Sequence, residues 1–387
     1  MPPPARVRQS AVDACPGALR LHAAADGPLA RVRLPAGMLT GAQLALLASL
    51  ATAAGDGRLE LTSRANVQLR GLTRADPAVL EARLAAAGLL PSPTHETVRN
   101  IAASPLADDR IRALVRALDD ALCADPELAA LPGRFLFAIG AVTLDADVAA
   151  VPDGPAFTIQ LAGLDTGLHV PDDRVVPALL LAAHAFLAER SGDRPAWRLR
   201  EIPDGPALVA RRLGSSLVEA PPAAPAPDAP IGLVTQDDGR FAVGALVPLG
   251  CLDAVHVDAL AAAARLVVTP RRGIVVRDLS EEDARRWLRD LADAGLEVTA
   301  GSRWSGVTTC AGKPGCAKAL ADVRADADAT TRHVDGLAVH WVGCARGCGS
   351  PSGAHVRVEA TADGYLVNGV AATRDELAES VAGARRG

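Results

Sequence analysis

Four cysteines near the C-terminal end carry the clearest chemistry in this chain. Cys310 and Cys316 are separated by five residues and Cys344 and Cys348 by three, and Gly312, Gly315, Gly343, Gly347 and Gly349 are set among them. The pattern predicts a cradle for one 4Fe–4S cluster. A cubane needs four thiolates converging from different directions, and glycines let backbone N–H groups come close to its sulfurs. Structural zinc usually pairs cysteines at steps of two to four residues, so the five-residue step fits zinc poorly. Two disulfides would require an oxidising compartment, and residues 1–14 contain no apolar run of the secretory type. Buried, inert thiols are the remaining alternative. A cluster here would move electrons or bind a further metal-centred group.

Something large must hold these loops in place. The 387 residues are 49% hydrophobic, enough for two to four packed domains. Nowhere do 18 apolar residues run without a charge, and the longest candidate, residues 177–187, is short and carries His184. The expectation is a soluble, cytoplasmic protein with no membrane contact. A formal charge of −5 gives no general attraction to polyanions, so nucleic acid is not an expected partner. Of 40 basic side chains only Lys313 and Lys318 are lysines.

The chain repeats itself. Leu34-Pro35-Ala36-Gly37 and Val247-Pro248-Leu249-Gly250 each lead into an apolar helical stretch, with Thr40 and Asp253 as N-caps and Gln43 completing a capping box with Thr40. Each stretch is followed by a predicted strand, residues 59–69 and 266–276, and then by a second helix entered at Asp76-Pro77 and at Ser280. From Thr62 against Thr269 to Gly88 against Gly295 the offset stays at 207 residues, which points to two α+β modules related by duplication. Each module is followed by a further segment, and only the second of these holds the four cysteines. Residues 220–230, rich in proline and alanine, read as a polyproline-like tether between the halves.

Alternation along residues 58–70 separates two faces. Leu59, Leu61, Ala65, Val67 and Leu69 point to a core, and Thr62, Arg64, Asn66, Gln68 and Arg70 share the other face. Forked guanidinium and amide groups suit carboxylates and planar polar ligands, whereas an ordinary solvated sheet face mixes Lys and Glu. Arg271 and Arg272 occupy the matching place in the second repeat, and Arg99 lies just beyond the first module. Together these elements predict an arginine-lined cavity for a polycarboxylate, with the cysteine loops as one wall. Cys123 and Cys251, among alanines and leucines, read as core thiols, Cys15 as a turn residue, and Arg110, Arg112 and Arg116 as a solvated helix edge.

The order of module, cluster-type domain, module, cluster-type domain, with the two cysteine steps in the last, resembles the sulfite and nitrite reductases that couple sirohaem to a 4Fe–4S cluster. Within that superfamily the chain is similar to the precorrin-3B synthase family of the oxygen-dependent cobalamin pathway. The similarity lies at Asp13-Ala14-Cys15-Pro16-Gly17, Asp26-Gly27-Pro28-Leu29-Ala30-Arg31-Val32-Arg33, Leu61-Thr62-Ser63-Arg64-Ala65-Asn66-Val67-Gln68-Leu69-Arg70 and Leu131-Pro132-Gly133-Arg134-Phe135. One departure stands out. Where the reductases place two lysines one residue apart to bind the anionic substrate, this chain has Arg134 and Leu136.

The resemblance implies an α+β fold: a duplicated nitrite/sulfite reductase-like architecture of two ferredoxin-like half-domains and two cluster-type α+β domains with pseudo-twofold symmetry. The expected divisions are a flexible N-terminus (1–12), first half-domain (13–94), first cluster-type domain without cluster cysteines (95–214), linker (215–230), second half-domain (231–301) and 4Fe–4S domain (302–387). It implies an enzyme, an iron–sulfur monooxygenase, that hydroxylates precorrin-3A at C20 with O2 and two electrons and closes a γ-lactone. Arg64, Asn66, Gln68, Arg70, Arg99, Arg134 and Arg272 are the candidate substrate contacts, and Cys310, Cys316, Cys344 and Cys348 the cluster ligands. Family members are associated with a mononuclear non-haem iron, but no two-histidine-plus-carboxylate spacing marks its ligands, and His22, His95, His340 and His355 read as packing or surface residues. The absence of a G-x-G-x-x-G after a strand places nicotinamide on an external electron donor, a reductase or ferredoxin. Two alternatives stay open: a sirohaem-dependent nitrite or sulfite reductase, and a non-enzymatic iron–sulfur carrier.

Overall fold

The computed structural model describes residues 13, 15–142, 144–190, 196–219, 230–351 and 353–387. The predicted N-terminal segment 1–12 and nearly all of the proline-rich tether lie outside the described residues. Four five-stranded sheets form the framework, and they come in two matching pairs.

The two half-domain sheets are interlocked. One runs, neighbour to neighbour, through His22–Ala24, Gly27–Val32, Val67–Leu69, Leu59–Leu61 and Cys251–Leu252. The other runs through Gly232–Thr235, Phe241–Leu246, Gly273–Leu279, Leu266–Val268 and Met38–Leu39. The last strand of each therefore comes from the opposite half of the chain: Cys251 and Leu252 pair with Glu60 and Leu59, and Met38 and Leu39 with Val267 and Leu266. A single apolar core runs beneath both sheets, joining Leu44, Leu47 and Val67 to Val257, Leu260 and Val276.

The remaining two sheets also share one topology. Ile101–Ala102, Phe137–Ile139, Val148–Asp153, Ala156–Leu161 and Leu164–Val170 pair in order, the first two pairings parallel and the last two antiparallel. Val307–Thr309, Ala338–Val342, His355–Ala360, Tyr365–Val367 and Val370–Ala372 repeat the same sequence of pairings. Each has its own core.

The segment 59–69, expected as one strand, is a hairpin. Leu59–Leu61 returns as Val67–Leu69, and residues 266–276 divide in the same way. The turns are built alike. The Thr62 hydroxyl accepts the Asn66 N–H at 3.0 Å and the Thr269 hydroxyl accepts the Gly273 N–H at 3.0 Å, while Ala65 (φ +57°) and Arg272 (φ +58°) take the same left-handed position 207 residues apart. The hydrophobic pattern fitted a single strand because each arm of the hairpin alternates with the same phase: Leu59, Leu61, Val67 and Leu69 are all buried. The N-caps at Thr40, Asp76, Asp253 and Ser280 each accept backbone N–H groups, and Gln43 closes its capping box.

The exchange leaves no room at Gly37. Its φ is +71°, and a Cβ would stand 2.1 Å from the Val268 carbonyl oxygen in the partner sheet. Gly88 has nearly the same φ, +70°, with nothing within 4 Å. Gly88→Ala is therefore expected to cost about 1 kcal/mol for the left-handed backbone alone, and Gly37→Ala more than about 4 kcal/mol, because the exchanged strand must also shift. Urea midpoints of the two variants check this; equal losses would contradict the close approach.

Candidate functional site

The cysteine loops grow from strand ends in the last sheet. Cys310 follows Val307–Thr309, and its N–H donates to the Trp341 carbonyl at 2.8 Å, tying the loop to the neighbouring strand. Gly343 follows that neighbour and donates its N–H to Cys310 Sγ at 3.2 Å. A side chain at Gly343 would not fit, since a Cβ would lie 2.7 Å from Ala319 Cβ. Cys316 is turned inward by its N–H bond to the Gly312 carbonyl at 2.7 Å. Behind Cys348 lies the buried ring of His340, with Nε2 2.9 Å from the Cys348 carbonyl and Nδ1 2.8 Å from the Thr308 hydroxyl. A carbonyl can only accept, so Nε2 carries the proton and Nδ1 accepts from Thr308. Burial pushes the imidazole down to about 4, so the ring is neutral at ordinary pH.

All four cysteines line one cavity of about 570 Å3. Facing them are Arg31, Gln68 and Arg70 from the first half-domain, and Arg134 with Trp197 from the first cluster-type domain. An adjoining cavity of about 360 Å3 shares Arg31, Gln68, Arg70, Cys310 and Cys348 and adds Arg272 and Arg324. Burial raises the Cys310 thiol, the Gly343 and Gly312 N–H groups oppose that rise, and the nearby Cys348 and Cys316 add to it. Among the described residues no three His, Cys, Asp or Glu side chains can hold one metal ion. A cubane differs, because each of its cysteines binds a separate iron, and the four-thiol wall with an N–H aimed at a sulfur fits that group.

The opposite wall carries uncompensated positive charge. Arg70 is the exception: Asp26 takes its Nε and Nη2 at 2.5 and 2.8 Å and Glu60 its Nη1 at 3.3 Å, which together raise its pKa despite burial. Glu60 also accepts from Arg324. Arg31 has no carboxylate partner among the described residues; its Nε donates to Gln68 Oε1 at 3.0 Å, and burial lowers its pKa. Arg33, which lines a separate cavity, is 2% exposed and donates only to the Thr97 and Pro16 carbonyls, at 3.3 and 3.4 Å. Burial first, and Arg31 second, push it down to about 9. Burial thus disfavours its charged form. A bound anion is what would restore it, at about 1.5–3 kcal/mol for each charge-assisted hydrogen bond. Arg134 lies over the Trp197 ring at 5.2 Å, its Nε 3.8 Å from Asp13 Oδ1.

The residues singled out in the sequence are not all gathered here. Gln68, Arg70 and Arg134 line the main cavity and Arg272 the adjoining one. Arg64 lines neither; it donates to the Arg134 carbonyl at 3.0 Å and stands behind that residue. Asn66 is a buried turn residue whose Oδ1 accepts the Leu34 N–H at 2.9 Å, so it is not a ligand contact. Arg99 is likewise misplaced by the sequence reading: its guanidinium is held by Asp119 at 2.7 and 2.5 Å and by the Leu89 carbonyl, in a different cavity. Leu136 packs among Ala102, Ala138 and Ala149. His22 lines the main cavity, and His95 is buried against Ser92, Thr94 and the Asp125 carbonyl. Sequence reasoning missed Arg31 here and Arg33 in a separate cavity, as well as Lys318 and the cavity position of Cys15. The signal for the first two was present: Ala30 and Val32 are core, so Arg31 and Arg33 alternate onto the other face.

The family model of the nitrite/sulfite reductase ferredoxin-like half domain matches twice, at residues 22–87 and 234–294. A precorrin-3B synthase from Sinorhizobium sp. is 29% identical over 92% of this chain and 83% of its own length. The chain carries two copies of the nitrite/sulfite reductase ferredoxin-like half domain. A ferredoxin–nitrite reductase of Synechococcus elongatus is 26% identical over 88% of this chain and 78% of its own. The solved structure of the Mycobacterium tuberculosis NirA protein shares the fold, with a TM-score of 0.66 at 19% identity over 91% of this chain and 79% of that one. The duplicated α+β architecture is thereby established.

The wall of four cysteines has a direct check. Cys310→Ser or Cys348→Ser is expected to abolish iron–sulfur absorption and bound iron. Cys123→Ser and Cys251→Ser, at thiols that burial pushes up to about 11 and that lie off this wall, are expected to leave both intact. Iron and sulfide analysis of anaerobically purified variants reads the difference.

Proposed function

We propose that this protein is a precorrin-3B synthase, an iron–sulfur monooxygenase that hydroxylates precorrin-3A at C20 with O2 and closes a γ-lactone from the ring A acetate. The observation that carries the reading is the single cavity with four thiols on one wall and desolvated guanidiniums on the other. A tetrapyrrole bearing acetates and propionates supplies the anions this second wall lacks. Similarity over 92% of the chain to the Sinorhizobium precorrin-3B synthase supports the same assignment. The cluster, held by Cys310, Cys316, Cys344 and Cys348, supplies single electrons when bound.

The protein's own residues position and shield. Arg31 and Arg134 pair with substrate carboxylates, and Gln68 fixes Arg31 by accepting from its Nε. Arg272 does the same from the adjoining cavity. Asp26 and Glu60 keep Arg70 from drawing a carboxylate, so it serves as a rigid side of the pocket. The reaction consumes one O2, two electrons and two protons. One oxygen enters the substrate at C20 and the other leaves as water. The electrons come from an external reductase or ferredoxin.

Lys318, on the rim of the cavity, favours a second reading, in which the chain is a sirohaem-dependent nitrite or sulfite reductase: its ammonium is a donor for a small oxyanion. Incubation with precorrin-3A, O2 and a chemical reductant separates the two. The expected product is heavier by one oxygen atom and forms only when O2 is present. Arg134→Ala and Arg31→Met are expected to weaken precorrin-3A at least tenfold, the equivalent of losing one charge-assisted hydrogen bond. Nitrite consumption without any change to precorrin-3A would overturn the assignment.

A further inference from the structure

A second cavity, of about 420 Å3, is lined by the other exchanged strand pair, Met38 and Leu39 with Leu266 and Val267. Duplication relates it to the first. Arg277 stands 207 residues after Arg70, at the same place in its hairpin, and each lines the cavity on its own side. The two cavities share no lining residue.

Six guanidiniums line this second space: Arg33, Arg99, Arg112, Arg116, Arg265 and Arg277. Arg33, Arg99, Arg112 and Arg277 are buried. Arg112 and Arg116, expected on a solvated helix edge, share one face of the helix Asp109–Ala124 with Asp109 and Asp119, and that face turns to the cavity. Only three carboxylates answer them. Asp119 is taken by Arg99, Asp109 by Arg112 at 2.5 Å, and Asp278 is divided among Arg112, Arg265 and Arg277 at 3.2, 2.6 and 3.4 Å. Arg116 has no hydrogen bond or ion pair among the described residues, and Arg33 has only carbonyl partners. Buried cations in excess of their partners are costly, and that cost falls when an anion joins them.

We propose that this cavity is a binding site for a small polyanion whose charge sits on phosphate or on several carboxylate oxygens. The cavity is too lightly supplied with carboxylates to be a closed ion-pair network, and its arginines converge from four separate segments: the end of Gly27–Val32, the residues before Ile101, the helix Asp109–Ala124 and the hairpin that contains Gly273–Leu279. Arg33, which also feels the charges around Cys15, lies between this site and the first.

Inorganic pyrophosphate and citrate are the probes, titrated calorimetrically into the purified holoprotein. Arg116 and Arg265 are exposed, so Arg116→Glu and Arg265→Glu leave the core alone, and circular dichroism verifies the fold. The expected result is saturable binding of at least one probe that each of these variants weakens at least tenfold, while Arg346→Glu, on the rim of the cysteine cavity, leaves it unchanged. Tighter pyrophosphate marks a phosphorylated ligand and tighter citrate a polycarboxylate. Binding that survives Arg116→Glu and Arg265→Glu, or no saturation by either probe at millimolar concentration, would overturn the site.

Discussion

Two short strands hold the two halves of this protein in register. Each half-domain sheet is finished by two residues from the opposite half, Cys251–Leu252 on one side and Met38–Leu39 on the other; Met38 and Leu39 line one cavity, and Leu249 and Gly250, leading into Cys251, line another. The exchange buries one continuous core beneath both sheets. It also fixes where the cluster-type domains can sit, because the turns that precede the exchanged strands, Pro35–Gly37 and Pro248–Gly250, pack against them. Displacing one exchanged strand would open a sheet edge and a cavity wall together.

Electrostatics then divides the two sides. Near the cysteines, Asp26 and Glu60 quench Arg70 and Arg324, leaving Arg31 to a ligand, with Arg134 only loosely held 3.8 Å from Asp13. The selection is economical. A wall in which every arginine was free would repel itself, and one in which every arginine was paired would bind nothing. Burial of Arg31 and Arg33 sharpens the demand for an anion, because their charge has been taken from water without a carboxylate in return. The cysteine loops need the opposite environment, and they find it in strand-end N–H groups and a neutral His340.

Much of this was legible in the chain. The constant 207-residue offset exposed the duplication, and the N-caps at Thr40, Asp76, Asp253 and Ser280 marked helix starts, because both signals are local. The cysteine steps and the glycines between them pointed to one wall for the same reason. The hairpin at 59–69 was hidden by phase: a tight turn with Ala65 in the left-handed region returns the chain without breaking the alternation. Partner choice was hidden altogether. Nothing near Arg99 in sequence announces Asp119, nor does anything near Arg70 announce Asp26, so which arginines are free is decided only when distant elements meet. The strand exchange is equally invisible, since two residues carry too little pattern to be read as a strand.

The central claim is that the arginine wall receives its tetrapyrrole as a substrate, opposite a cluster held by four cysteines. The visible spectrum of anaerobically purified protein, followed by acidic acetone extraction, tests it most directly. The account predicts broad iron–sulfur absorption and no sirohaem in the extract. Stoichiometric sirohaem would contradict it, since the cavity would then hold a resident cofactor in the space assigned to precorrin-3A.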